Sequence, residues 1–206
     1  VVLAEKPSVA RDLARYLGAR QQHDGYFEGS GYHVTWALGH LVCLKEPNDY
    51  DPQLKKWSIA PLPFVPDCFE LKLTGDKGAR KQFGVIKKLF RAADELICAT
   101  DAGREGELIF RYIQQLSSCI GKPCRRLWLS SLTDEAIRTA FNAMRPGSHY
   151  DPLFHAARCR NEADWIVGFN ATRNFSVRHG PRLWSVGRVQ TPVLALIAAR
   201  DDEIRH

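Results

Sequence analysis

Two short apolar runs that each end on an acidic residue constrain the fold of this chain more than any other feature. "VVLA" at the start is typical of a buried strand and precedes Glu5, and "ELICAT" is typical of a second buried strand and precedes Asp101. An amphipathic helix over residues 8–17 follows the first run, and a helix that begins beyond Gly103 follows the second. This alternation predicts an α/β fold with a mostly parallel sheet flanked by helices on both faces.

The pattern changes after a Pro-Gly break at residues 146–147. From Asp151 onward the chain shows long helical periodicity without clear strands. Thr191 and the proline that follows it are typical of the N-cap and first position of a last helix. We therefore expect residues 1–146 to form the α/β domain and residues 147–206 to form the start of a helical domain, which is expected to be incomplete here.

The acidic residues after the two strands predict a metal site. The carboxyl ends of neighbouring parallel strands face a common crevice, where such folds place their functional groups. Glu5 and Asp101 follow strands that can be neighbours, and Glu105 lies four residues beyond Asp101 at a helix start. Acids this close need a cation, and Mg²⁺ takes one or two carboxylates together with waters and a phosphate. Lys6 is placed to stabilise charge that develops on that phosphate.

Each acid also has an explanation that needs no metal. Aspartate and glutamate in the first turn of a helix interact favourably with the helix dipole. For Glu107 this explanation is preferred, and we expect its carboxylate to face a basic partner. For Glu5 the explanation is weaker, because an acid directly after a buried strand is costly unless it has a use.

The charge distribution suggests a polyanion as partner without requiring one. The formal charge is +6, and every basic residue after Met144 is arginine. Guanidinium groups make planar, bidentate contacts with phosphate that lysine cannot make, so this region is a candidate surface for a nucleic-acid backbone. A solvated helical surface held by salt bridges is the simpler alternative.

Composition also excludes several classes of protein. No apolar run approaches the length that spans a bilayer, and the six cysteines are scattered without a CxxC pair. We therefore expect a cytoplasmic protein with reduced thiols, without a zinc ribbon and without membrane association. Neither a GxGxxG motif nor a P-loop follows any strand, which excludes a nucleotide-binding oxidoreductase.

Several stretches together resemble the type IA DNA topoisomerases. "LAEKPSVARDLA" and "ATDAGREGELIF" are similar to the Toprim domain of that family, and "LWSVGRVQTPVLALI" is similar to the arginine-bearing segment that follows it. "ARCRNEADWIVGFNATR" resembles the helix before that segment. With "WALGHL" and without zinc motifs, the chain is most similar to the bacterial topoisomerase III branch, and the resemblance covers essentially all of it.

The resemblance implies a chemistry and a substrate. In this family the Toprim acids hold Mg²⁺ beside a DNA phosphodiester, a tyrosine attacks the phosphorus and stays linked to the 5′ phosphate, and a second strand passes through the gap. A cytoplasmic monomer that acts on single-stranded DNA is therefore expected.

The resemblance also assigns roles to individual residues. Glu5 would be the metal and acid–base glutamate and Lys6 the phosphate-stabilising lysine, so these two are the expected catalytic residues. The expected metal ligands are Glu5, Asp101 and Glu105. The expected DNA-binding residues are Arg158, Arg160, Arg188 and Gln190. Asp164 belongs to the same helical segment. In the family this segment carries both DNA contacts and structural ion pairs, and the resemblance does not assign Asp164 to either.

One departure concerns the metal. Gly103 stands where the family's DxDxE run has its middle aspartate. We therefore expect one catalytic Mg²⁺, held by Glu5 and Asp101 with Glu105 or water completing its ligands, and at most weak binding of a second ion.

A second departure concerns the nucleophile. The family's tyrosine lies in a later domain, and the six tyrosines of this chain occur at positions that the family uses for packing: Tyr16, Tyr26, Tyr32, Tyr50, Tyr112 and Tyr150. Tyr112 follows an arginine but lies in a predicted helix, which favours core packing. This polypeptide alone is therefore expected not to cleave DNA.

Two other functions stay open at this point. A Toprim nuclease or primase would use the same acids to hydrolyse or polymerise, but such families have no reason to carry "SVGRVQTP". A module that only binds single-stranded DNA would need the arginine-rich segment and no chemistry, and its binding would weaken steeply with salt.

Overall fold

The computed structural model describes all residues from Val1 to His206, and their contacts divide the chain into two compact units. The first unit contains Val1–Cys43 and Leu71–Arg158. The second contains Leu44–Glu70 and Cys159–His206. Residues 44–70 thus group with the helical part of the chain, and the domain division at residue 146 stays a prediction.

Nine strands and seven α-helices make up the chain. The strands are β1 (Val2–Ala4), β2 (Gln21–His23), β3 (Tyr26–Gly29), β4 (Tyr32–Trp36), β5 (Val42–Leu44), β6 (Leu71–Leu73), β7 (Leu96–Ala99), β8 (Cys124–Arg126) and β9 (Arg145–Pro146). The helices are α1 (Pro7–Leu17), α2 (Pro47–Tyr50), α3 (Lys77–Ala92), α4 (Arg104–Leu116), α5 (Asp134–Asn142), α6 (Asp151–His179) and α7 (Gln190–Arg205). Two short 3₁₀ helices span Pro52–Lys55 and Gly147–Tyr150.

A seven-stranded sheet in the order β2-β3-β4-β1-β7-β8-β9 forms the centre of the first unit. Its four central strands, β4, β1, β7 and β8, run parallel, and the outer strands join them antiparallel. The predicted α/β class with a mostly parallel sheet is therefore confirmed. β1 and β7, the two strands that precede the acids, are direct neighbours.

Helices cover both faces of this sheet. Val2, Ala4, Ile97 and Ala99 belong to a buried cluster with residues of α1 and α5. Side chains alternate along a strand, so the residues between them point to the other face, where Phe90 of α3 and Phe110 of α4 pack at 6.0 Å. The central strands are buried on both sides, as expected of parallel strands.

Local signals set most helix ends. α1 ends at Leu17 and is followed by Gly18 with φ 75°, and the side chain of Thr133 caps α5 by accepting a hydrogen bond from the Ala136 N–H. The start of α7 differs from the prediction of Thr191 as its N-cap. That helix begins at Gln190, and the Thr191 hydroxyl instead accepts a hydrogen bond from the Gly187 N–H at 3.0 Å.

The second unit is organised by contacts between residues 44–70 and α6. The Trp165 indole donates a hydrogen bond to the Lys45 carbonyl at 3.0 Å. The Asn170 side chain bonds both the N–H and the carbonyl of Phe64, at 2.7 and 2.9 Å. Residues 46–66, which are rich in proline, aspartate and asparagine, are thus fixed on a helix. None of the helices is at once long and apolar enough to cross a membrane.

Candidate functional site

Glu5, Lys6 and Asp101 lie together at the carboxyl edge of the sheet. Ala4 of β1 pairs with Ala99 of β7, so the residues that follow the two strands emerge side by side. The Asp101 N–H donates a hydrogen bond to Glu5 Oε2 at 3.1 Å, and Lys6 Nζ lies 3.3 Å from Asp101 Oδ2. This placement is the one that the strand ends predict.

Glu105 takes a different partner. It lies in the first turn of α4, and its carboxylate is 2.8 Å from the Nε2 atom of His40. The chain contains no group of three or more His, Cys, Asp or Glu side chains arranged to hold a metal ion. The structure thus brings two of the three expected ligands together, and the roles of all three stay predictions.

The donor set at this edge fits Mg²⁺. Glu5 is partly exposed, and the side chain of Asp101 is 53 % exposed, so both carboxylates are open to an ion and to water. Mg²⁺ keeps several waters and usually takes only one or two protein carboxylates, so it does not need a third acid from the chain. The Lys6 ammonium neutralises Asp101 in this arrangement.

The side chain of Arg126 fixes the segment that carries Asp101. Arg126 is 1 % exposed, and its guanidinium donates hydrogen bonds to the carbonyls of Cys98, Thr100 and Asp101 at 3.0, 2.8 and 2.7 Å. Three carbonyls at the end of β7 are therefore held by one planar group. No sequence motif assigned a role to this arginine.

Glu107 neutralises the buried arginine. Its side chain is 2 % exposed, and Oε2 lies 3.2 Å from Arg126 Nε as a charge contact without hydrogen-bond geometry. Its Oε1 accepts a hydrogen bond from Arg111 Nε at 2.9 Å, and Arg111 also donates to Asp151 at 2.8 Å. The expectation that Glu107 faces a basic partner is confirmed, and it has two.

Gly106 is required by close packing against the same segment. A Cβ at this position would lie 2.1 Å from the Asp101 carbonyl oxygen, which no side chain can do. The Thr100 hydroxyl donates a hydrogen bond to the Gly106 carbonyl at 2.7 Å. By contrast, a Cβ at Gly103 would meet no atom within 4 Å. The glycine of the "REGE" run is thus a structural requirement, and Gly103 is not.

The arginines assigned to DNA by resemblance occupy several environments. Arg188 binds Asp164 through two hydrogen bonds of 2.6 and 3.1 Å, and Arg160 lies 4.0 Å from the same carboxylate. Gln190 donates a hydrogen bond to the Ser185 hydroxyl at 2.6 Å. Arg158 lies over the Phe154 ring at 6.0 Å. Their DNA contacts stay predictions.

The pair between Arg188 and Asp164 affects the protonation of both groups. The hydrogen bonds from Arg188 hold the pKa of Asp164 below its ordinary value, and the same contact raises the pKa of Arg188. Asp164 therefore keeps Arg188 in a defined orientation at neutral pH. Asp164 is a positioning residue for this arginine.

The tyrosines lie in packing contacts. Tyr112 is 2 % exposed, Tyr16 stacks on Phe141 and Tyr150 stacks on Trp128. The remaining three also have neighbours: Tyr26 stacks on His23, Tyr32 packs against the core, and Tyr50 accepts a hydrogen bond from the Glu70 N–H. None of them lies in the group formed by Glu5, Lys6 and Asp101.

Cysteine chemistry does not contribute to this edge of the sheet. All six cysteines are free thiols, and burial raises the pKa of Cys98 to about 11 and that of Cys124 to about 12. At neutral pH both are therefore protonated and poor nucleophiles.

Comparison with known proteins identifies two family segments. The Toprim domain family matches residues 1–132, and the DNA topoisomerase family matches residues 148–206. DNA topoisomerase 3 of Bacillus cereus is 51 % identical over 208 aligned residues, and that of Bacillus subtilis is 49 % identical over 207. Both alignments cover 100 % of this chain and 28 % of the relative, so the chain spans about 28 % of the length of these proteins.

A solved structure shows the same fold. Full-length topoisomerase I from Thermotoga maritima superimposes with a TM-score of 0.68 at 25 % sequence identity. The match covers 100 % of this chain and 30 % of that one.

The first prediction concerns the buried arginine. Arg126→Met should lower the free energy of unfolding by about 3 to 5 kcal/mol, because it leaves buried carbonyls without their donor and removes one of the two basic partners of a buried carboxylate. Arg125→Met, next to it in the same strand, removes an exposed pair with Glu95 and should cost less than about 1 kcal/mol. Urea denaturation of both variants measures their free energies of unfolding. Equal losses of stability would contradict the structural role of Arg126.

The second prediction concerns the pH dependence of the pair between Arg188 and Asp164. Because the folded pKa of Asp164 is lowered, the pair stabilises fully above its ordinary pKa of 3.8 and loses its effect as pH falls through the lowered value. Arg188→Gln should therefore raise the pKa of Asp164 in a carbon-13 NMR titration. Arg178→Gln, which touches Asn174 instead, should leave it unchanged. An unchanged pKa in Arg188→Gln would refute the positioning role.

Proposed function

The chain belongs to the type IA family of DNA topoisomerases, which carry a Toprim domain, and on this premise we propose that it acts in Mg²⁺-dependent cleavage and rejoining of a single DNA strand, as part of a topoisomerase III-like enzyme. Passage of another strand through the transient gap would change DNA topology. The observation that carries the proposal is the convergence of Glu5, Lys6 and Asp101 at one edge of the sheet.

Each residue at this edge has a proposed role. Glu5 and Asp101 would hold a single Mg²⁺, with water or Glu105 completing its ligands. When bound, the ion would neutralise negative charge on the scissile phosphodiester. Lys6 would exchange its contact with Asp101 for a phosphate oxygen, and Glu5 would also serve as the acid–base group for the oxygen atoms that gain and lose a proton.

The arginine-rich segment supplies the proposed contacts to DNA. Arg188 and Arg160, held by Asp164, would bind phosphates of a single strand, and Arg158 and Gln190 would add further contacts. We propose that the protein works as a monomer on single-stranded DNA in the cytoplasm. The match of residues 148–206 to the DNA topoisomerase family favours this function over a Toprim nuclease or primase.

The proposed nucleophile is not among the tyrosines of this chain. All six are engaged in packing or hydrogen bonds, and none accompanies Glu5 and Asp101. The chain would therefore bind the ion and the strand, while cleavage would need a tyrosine from elsewhere in the enzyme.

The third prediction tests this division. Incubation of the chain with Mg²⁺ and an end-labelled single-stranded oligonucleotide should give a mobility shift in native gels, because the arginines bind the strand. It should give no labelled protein after denaturation in detergent, because no tyrosine attacks the phosphorus. A covalent adduct, or metal-dependent nicking, would contradict the proposal, and nicking would favour the nuclease.

The fourth prediction concerns the number of ions. Titration of Mg²⁺ into the chain with a scissile-strand oligonucleotide should show one tight site by calorimetry. Glu5→Gln and Asp101→Asn should each weaken that site at least about tenfold, because each removes one of two charged ligands. Asp94→Asn, an exposed acid outside the site, is the matched control and should have no effect.

A variant at Gly103 extends the Mg²⁺ titration. A side chain at this position meets no atom within 4 Å, and aspartate is favoured at the N-cap that Gly103 occupies, so Gly103→Asp should fold normally. It should add a second binding event, because it supplies the acid that the DxDxE pattern has there. Two tight ions in the unmodified chain would contradict the single-ion proposal.

A further inference from the structure

Helix α3 carries an exposed stripe of positive charge. The stripe consists of the six basic residues of this helix, which contains no acidic residue: Lys77, Arg80, Lys81, Lys87, Lys88 and Arg91. With Gly84 they occupy positions i, i+3, i+4, i+7, i+10, i+11 and i+14, which is one face of a helix. The opposite face is buried through Phe83, Ile86 and Phe90. We call the six residues the basic stripe.

The charges of the basic stripe are not compensated within the chain. Only Lys81 forms an ion pair, with Asp24. Neighbours such as Lys77 and Lys81, or Lys87 and Arg91, are four residues apart and repel each other. Three of the cations also lie in the first turns of the helix, where the helix dipole is positive. Residues that destabilise a helix locally are expected where a function requires them.

Gly84 in the middle of the stripe supports the same conclusion. A glycine inside a helix weakens it, and packing does not require this one, because a Cβ at Gly84 would meet no atom within 4 Å. The missing side chain instead leaves room for close approach of another molecule to the helix backbone. The opening lies between the two halves of the basic stripe.

The dimensions and composition of the stripe indicate the partner. From Lys77 to Arg91 the helix rises by about 21 Å, which matches about six base-pair steps of 3.4 Å along a double helix. Proteins that bind single strands without sequence preference combine basic grooves with exposed aromatic rings for base stacking. The exposed face of α3 has no aromatic residue, because Phe83 and Phe90 are both buried. This composition fits phosphates and does not fit unpaired bases.

We propose that the basic stripe binds the phosphate backbone of double-stranded DNA, at a site separate from Glu5, Lys6 and Asp101. Helix α3 leads through residues 93–95 into β7 and therefore runs antiparallel to that strand. Its first turn accordingly lies at the carboxyl edge of the sheet, the edge that carries Asp101. A duplex bound there would flank the single strand that the proposed function places at that edge.

The test removes three charges from the stripe. The variant R80Q/K88Q/R91Q and the control R20Q/K55Q/R138Q each lower the net charge from +6 to +3 at exposed positions that form no ion pair. Binding of a labelled 20-base-pair duplex is measured by fluorescence anisotropy over a salt series. The stripe variant should bind about tenfold more weakly or worse, with the slope of log K against log salt reduced by about 2.7. The affinity of the control variant for the duplex should stay within about twofold of that of the unmodified chain.

Gly84 provides a variant in which stability and binding change in opposite directions. Gly84→Gln replaces a poor helix former at an open, exposed position, so the melting temperature should rise. The added side chain occupies the gap in the stripe, so duplex affinity should fall several-fold. Gly84→Ala, which adds one methyl group, should gain stability and keep most of the affinity.

Three results would overturn the inference. Equal losses in the stripe variant and the control would show that only net charge matters. Unchanged duplex binding in the stripe variant would exclude the site. A larger loss in the stripe variant of affinity for a single strand of equal length, or for vesicles of phosphatidylglycerol and phosphatidylcholine, than for the duplex would identify another ligand. Because Glu5→Gln and Asp101→Asn should keep duplex affinity, failure of the metal titration and failure of this inference are distinguishable.

Discussion

The contact between the buried guanidinium of Arg126 and the end of β7 is the constraint on which the site depends. A guanidinium removed from water is stable only if its charge is neutralised and its donors are used. Here Glu107 neutralises it, and the carbonyls of Cys98, Thr100 and Asp101 accept its hydrogen bonds. The same contacts that satisfy the arginine therefore fix the backbone at Asp101. A buried charge pair thus holds the backbone of the segment that carries Asp101.

The sequence was sufficient to predict the parts of the site that depend on strand ends. Glu5 and Asp101 follow buried strands, and parallel strands place such residues at one edge, so their proximity could be predicted without knowing any partner. Glu107 could be assigned to a basic partner because a carboxylate one turn into a helix rarely stays alone. Arg126 could not be assigned, because the carbonyls that it binds at the end of β7 lie 25 to 28 residues away in the chain and no local pattern marks them.

Other features failed prediction for the same reason. The contact between Glu105 and His40 joins residues from different parts of the chain, so no local pattern predicted it, and the role of Glu105 as a metal ligand stays a prediction. Residues 44–70 look irregular because their order comes from Trp165 and Asn170 on a distant helix. Thr191 has the residue type of an N-cap, but its hydroxyl accepts a hydrogen bond from the Gly187 N–H, four residues earlier in the chain. In each of these cases the partner of the side chain could not be read from the local sequence pattern.

The basic residues of the chain fall into groups with different physical roles. Arg126 is buried and neutralised, and it supports the backbone. Arg188 is exposed but oriented by Asp164, which suits directed contacts with phosphate. The cations on α3 are exposed, apart from the half-buried Lys87, and almost all are unpaired, which suits contacts that depend on charge density and not on direction. The net charge of +6 does not distinguish between these roles.

The most direct test of the account is paramagnetic broadening by Mn²⁺, used in place of Mg²⁺, in nitrogen-15 NMR spectra of the chain. If Glu5 and Asp101 hold one ion at the edge fixed by Arg126, the amide signals of Lys6 and Asp101 should broaden first, and Asp101→Asn should abolish the effect. Broadening that begins at other acids, such as Asp24 or Glu28, or that persists in Asp101→Asn, would contradict the account.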